Sequence, residues 1–92
     1  MKFITTWSAR PETRKEAIQN FLAGKADFAA GLTTLGRWHK ADGSGGFTLS
    51  EAASAEPIYE STSFWSQYLD MQTFPVIEDA AAGATLTKLF KS

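Results

Sequence analysis

Aromatic and β-branched residues crowd the stretch Lys2 to Ser8, where Phe3 and Trp7 fall on one side of an extended chain and Ile4 on the other. That spacing predicts a first strand, ended by Pro11. With Pro11 at the first helical position and Glu12 in the first turn, Ile18, Phe21, Leu22, Phe28 and Ala29 recur at helical spacing. They predict one amphipathic helix from about Pro11 to Ala30, stopped by Gly31, with Gly24 as a weak point inside it. From Leu32 to Lys40 the chain alternates again, with Leu35, Arg37 and His39 on one side and Leu32, Thr34, Gly36 and Trp38 on the other. Phe47 to Ala52 repeats the pattern after Asp42-Gly43-Ser44-Gly45-Gly46, which is the signature of a β-hairpin. Ser54 is placed to cap a second helix, with Pro57 in its first turn and Ile58, Thr62, Trp65 and Leu69 on one face. Met71 to Ile77 reads as a fourth strand whose Pro75 suits an edge or a bulge. An alanine-rich segment from Glu78 to Ser92, with Leu86, Leu89 and Phe90 as apolar contacts, reads as a third helix.

The predicted order is β, α, β, β, α, β, α. Two right-handed crossovers about a central hairpin give an α+β architecture of the ferredoxin-like βαββαβ type, with a four-stranded antiparallel sheet and both long helices on one face. A sheet covered on one side only should alternate apolar with polar residues. Here the first strand offers Phe3 and Trp7 against Ile4, and the fourth offers Phe74 and Val76 against Met71 and Ile77. Apolar residues on both sides imply a second cover, and the economical one is the same sheet from another copy of the chain. A homodimer through the open sheet face is therefore expected.

Composition sharpens this expectation. Ninety-two residues suit one domain spanning 1–92, which buries only roughly 60–65 % of its unfolded surface and is correspondingly marginal alone. There is no cysteine and only one histidine, so disulfides, thiolate metal sites and histidine-rich metal sites are excluded, leaving oligomerisation as the common remedy. Hydrophobic residues at 43 % and aromatics at 13 % describe a packed, aromatic-rich core. Nine scattered Lys and Arg against ten Asp and Glu, net −1, provide no footprint for a phosphate backbone, so nucleic acid is not an expected partner. Neither a signal-peptide pattern nor a bilayer-length apolar run is present, so no membrane association is expected and the cytoplasm is the expected location.

Little in the sequence carries chemistry outright. His39, between Trp38 and a glycine-rich turn, is the one side chain that ordinarily titrates near neutrality, and is the candidate general base or haem-iron ligand. The alternative is an exposed or hydrogen-bonded strand histidine. Asp42 to Gly46 leads into a strand, not into a helix whose N-terminus would face an anion, so it reads as a hairpin turn and not a phosphate cradle. Trp7, Trp38 and Trp65, with Tyr59, Phe64 and Tyr68, suffice to line an aromatic pocket, although core packing alone accounts for most of them. No two acidic residues share a spacing that joins their carboxylates, and no cofactor or metal is implied.

The first strand ending Thr6-Trp7, then Gly36-Arg37-Trp38-His39 with Asp42-Gly43 and Gly46-Phe47, and finally Phe64-Trp65 with Tyr68-Leu69-Asp70 leading to Pro75-Val76, resemble an uncharacterised family, domain of unknown function 3303. Its layout is similar to the dimeric α/β-barrel superfamily. That resemblance implies a homodimer whose two sheets face each other, with a pocket in each protomer between sheet and helices. Relatives include cofactor-independent monooxygenases, haem-degrading enzymes, lactone isomerases and proteins of no known activity, and the fold does not choose among them. The haem-degrading branch combines a pocket asparagine and tryptophan with a histidine on the second helix. In this chain the histidine lies on a strand and the only asparagine, Asn20, in the first helix, which argues against that activity.

The leading expectation is a homodimeric domain binding a small apolar or aromatic ligand near Trp7, Arg37, Trp38, His39 and Trp65, with Arg37 pairing an anionic group and His39 hydrogen-bonding. A cofactor-independent oxygenase or isomerase using His39 as general base is the enzymatic alternative. A third is an assembly protein whose apolar surface serves only the dimer.

Overall fold

The computed structural model describes residues 1–91 and contains β1 (Lys2–Ala9), α1 (Arg14–Leu22), a 3-10 turn (Lys25–Asp27), β2 (Thr33–His39), β3 (Gly45–Glu51), α2 (Glu56–Trp65), β4 (Leu69–Val76) and α3 (Asp79–Phe90). The four strands form one antiparallel sheet in the order β2-β3-β1-β4. This is the ferredoxin-like arrangement expected from the element order. Pro75 lies on β4, which pairs only with β1, so its missing N–H leaves no ladder bond unmade between two neighbours.

Phe3 and Ile58 are buried together with Ala52, and Leu32 packs against them, so the small core lies where β1 and the end of β3 meet α2. At the other end of the sheet Arg10 ties β1 to the α2–β4 connection. Its guanidinium donates to Asp70 Oδ1 at 3.1 Å and to the carbonyls of Ser66 and Gln67 at 3.3 and 2.7 Å.

The sequence expectation of one helix to Ala30 is not met. Helix α1 ends at Leu22 because Gly24 adopts φ 82°, a left-handed conformation that terminates the spiral and that glycine takes without steric cost. Phe28 then turns onto α2, its ring 5.2 Å from that of Phe64. Pro11 falls in a turn ahead of α1 and not at its first position; Thr13 occupies the N-cap and spends its hydroxyl on the Tyr68 carbonyl, 2.7 Å away. Ala55, not Ser54, is the N-cap of α2, with Pro57 in the first turn as expected.

A second correction concerns β2. The pairing runs Thr34 opposite Ser50 and then Gly36 opposite Leu49, so Leu35 is an extra residue in a β-bulge. The bulge resets the alternation: Thr34, Arg37 and His39 turn toward the helices, while Leu35 falls out of the phase expected for it.

The face away from α1 and α2 is apolar at its centre. Paired residues share a face, so the apolar row Gly36–Leu49–Ile4–Phe74 lies on it between the mixed row Trp38–Phe47–Thr6–Gln72 and the largely polar row Thr33–Glu51–Lys2–Val76. Trp38 folds across Gly36 and is 58 % exposed; Phe47 and Phe74 are each 45 % exposed. Helix α3 buries no residue: Leu86, Leu89 and Phe90, expected as its contacts, remain exposed. The molecule accordingly measures 55 × 29 × 18 Å.

Candidate ligand-binding cavity

Helix α1 stands off the sheet, burying only Ala17, and leaves between the sheet, α1 and α2 a cavity of about 370 Å³. Its floor is the inner face of the sheet: Thr5 and Trp7 from β1, Arg37 and His39 from β2, Thr48 and Ser50 from β3, Met71 from β4. The roof is the i, i+3, i+4, i+7 stripe Arg14, Ala17, Ile18 and Phe21 of α1 with Ile58, Ser61 and Trp65 of α2.

Four of the five residues singled out in the sequence line this one cavity, namely Trp7, Arg37, His39 and Trp65. Trp38 does not. A strand alternates, so Arg37 and His39 on the inner face force Trp38 onto the outer one.

Trp7, Gly46 and His39 form a row across three strands. With no side chain on Gly46 the indole lies over its Cα and meets the imidazole edge-on, centroids 5.5 Å apart; Phe21 meets the other side of the imidazole at 5.1 Å. Among the described residues no protein group hydrogen-bonds the His39 side chain. Trp65 is held from behind by Phe64 and Tyr68, with centroids 5.4 and 6.4 Å away.

Electrostatically the cavity is one-sided. Arg14, Arg37 and His39 line it, and among the described residues no carboxylate does. Arg37 is neutralised from the rim by Asp27, whose Oδ1 accepts from the guanidinium at 2.5 Å and from the Thr34 hydroxyl at 2.6 Å. The Arg37 hydrogen bond, followed by that of Thr34, holds the Asp27 carboxyl below its ordinary value of 3.8. The expected anion-binding role of Arg37 is thus already partly taken by a side chain of the protein. Arg14 has no such partner among the described residues. Its Nη2 lies over the hairpin turn, 3.1 Å from where a β-carbon on Gly43 would sit.

Sequence reasoning missed Arg14, Phe21 and Ser50 as cavity residues. Ser50 is 1 % exposed and its Oγ lacks any hydrogen-bond partner, although the Thr5 hydroxyl on the neighbouring strand is satisfied by Thr73 at 2.9 Å. A buried hydroxyl left unpaired costs roughly 1–3 kcal/mol. Ser50→Ala is therefore expected to stabilise the ligand-free protein by about 1 kcal/mol, raising Tm by roughly 4–8 °C in a differential scanning measurement. A lower Tm would show that the hydroxyl has a partner in solution.

A family model described as Domain of unknown function (DUF3303) matches residues 1–90. The chain belongs to this family. Among solved structures, the DUF3303 chain is similar to one titled "Structure of Rv0793 from Mycobacterium tuberculosis", with a TM-score of 0.53 and 14 % identity over 86 % of this chain and 96 % of that one. At that identity the likeness speaks for the ferredoxin-like fold. No curated protein matches the chain. Among the described residues no cluster of His, Asp or Glu could hold a metal ion, and no helix is long and apolar enough to cross a membrane.

Proposed function

We propose that this DUF3303 chain is a single-domain homodimer that binds a small apolar or aromatic molecule in the cavity between sheet and helices, the outer sheet faces of two copies covering each other as in a dimeric α/β barrel. The cavity carries this reading. A solvent-open cavity of about 370 Å³ lined largely by apolar side chains is a feature that an assembly role alone does not require. It falls at the small end of the ~300–1,000 Å³ range of ligand sites and combines a mostly apolar lining with a few polar groups, as such sites do. Self-association draws its support from the opposite face, where Trp38, Phe47 and Phe74 leave large apolar side chains exposed to water about the row Leu49–Ile4.

The catalytic alternative, His39 as general base, is favoured by one observation, an imidazole at the cavity wall with no protein hydrogen bond. No carboxylate orients it, however, and binding without turnover is the better supported of the two.

Native mass spectrometry of protein purified without added ligand tests the proposal in one spectrum. A dimer carrying extra mass, lost on denaturation, is the expected result. A monomer overturns the sheet-pairing half. A dimer that stays bare, and gives no mass shift with any of a panel of aromatic compounds, overturns the binding half.

A further inference from the structure

We propose that the cavity selects a planar aromatic monoanion, a carboxylate on an apolar ring system, with the carboxylate at the hairpin end against Arg14 and the ring between α1 and the sheet. This deepens the binding reading above and rests on it.

The charge inventory points to an anion. The chain as a whole is net −1, yet every formally charged side chain lining the cavity is basic. Of the two arginines, Arg37 is neutralised by Asp27 and Arg14 is not. Nothing in the fold rewards Arg14 for its place. It is the first residue of α1, where the helix dipole disfavours a cation, and it makes no hydrogen bond or ion pair among the described residues. A guanidinium kept there, reaching over Gly43 at the mouth of a cavity, has five donors free for a carboxylate. His39, beside the same turn, offers a further hydrogen bond.

The remaining lining limits what the anion is attached to. Trp7, Ile18, Phe21, Trp65 and Met71 present flat or apolar surfaces, which suit an aromatic body and leave a highly charged one without compensation. A single unpaired cation matches a single negative charge. Nucleotides and other polyphosphates are poor candidates, because their several charges would meet one unpaired arginine and a mostly apolar lining.

The test uses three probes of nearly equal shape: 2-naphthoate, 2-naphthol and 2-naphthylmethylammonium. Affinities for the full chain and for Arg14→Gln are measured by isothermal titration at neutral pH. Arg14 is exposed and has no hydrogen-bond or ion-pair partner among the described residues, so the variant should fold, and far-UV circular dichroism verifies that it does. Naphthoate is expected to bind at least tenfold more tightly than naphthol, with the ammonium compound weakest. In Arg14→Gln the preference for naphthoate over naphthol should fall to within about twofold. Equal affinities for naphthoate and naphthol, or a preference that survives Arg14→Gln, would overturn the anion assignment while leaving the binding reading standing. Failure of all three probes to bind at millimolar concentration would remove both.

Discussion

Leu49→Glu is expected to turn the proposed dimer into a folded monomer. Leu49 lies on β3 with Ile4 on one side and Gly36 on the other, in the middle of the apolar row that no helix covers. In a two-fold pairing of these faces each copy contributes the same patch, so one substitution introduces two carboxylates into the buried layer. The effective cost of burying an unpaired ion is several kcal/mol, and each 1.4 kcal/mol is tenfold in the dissociation constant, so weakening by roughly 100-fold or more is expected. Sedimentation velocity over a range of concentrations measures it. Because the Leu49 side chain points away from the Phe3–Ile58 core and the cavity, the monomer should keep its far-UV circular dichroism. An undiminished dimer would mean that some other surface makes it, with the exposed Leu86, Leu89 and Phe90 of α3 the next to be substituted.

What the sequence made legible follows the strength of its periodic signal. Strand β1 alternates without interruption, and the division of Phe3 and Trp7 from Ile4 could be read directly, although not which side faces the helices. Arg37, His39 and Trp65 were singled out together with Trp7 and share its cavity, but the side to which Arg37 and His39 point was not legible, because a one-residue change of strand phase exchanges pocket for subunit interface. The bulge at Leu35 was not legible either. An inserted residue on a strand rich in Thr and Leu changes no local propensity, and its cause is the pairing of β2 with β3, a tertiary fact. Trp38 was misplaced for a different reason: its size and its neighbours suggested a pocket wall, while simple alternation already set it opposite Arg37 and His39. Arg14 gave no signal because a charged residue on a surface helix is the commonest thing a sequence contains. Only its position one turn from Ile18 and two from Phe21 marks it as part of the inward stripe. Ser50 was hidden by its chemistry, since a small hydroxyl in a strand reads as the solvated side of an alternation. Helix α3 shows the limit of a helical pattern, which establishes that an apolar stripe exists without saying what, if anything, in the same chain meets it.

The row Trp7–Gly46–His39 makes the sharpest demand on a single atom. Gly46→Ala is expected to destabilise the protein by about 3 kcal/mol, at the upper end of the usual overpacking range. A β-carbon there would lie 2.2 Å from the Trp38 carbonyl oxygen and 2.5 and 2.8 Å from Cζ2 and Cη2 of Trp7. The indole could swing away, but only by leaving the imidazole it now meets edge-on. The carbonyl belongs to the β2 backbone beside the ladder to β3 and can move only with the strand. Relief through one contact therefore leaves the other, and the loss corresponds to a fall in Tm of roughly 12–24 °C for a domain of this size. Gly83→Ala is the matched control. It lies in α3 with nothing within 4 Å of a new β-carbon, so there the same added methyl should be neutral or stabilising by up to about 1 kcal/mol. Denaturant unfolding gives both numbers, and near-ultraviolet circular dichroism reports whether the Trp7 environment changes in Gly46→Ala. If the two substitutions have equal effects, Trp7 does not rest on Gly46 in solution. The aromatic clamp on His39, and with it the floor of the cavity, would then have to be drawn differently.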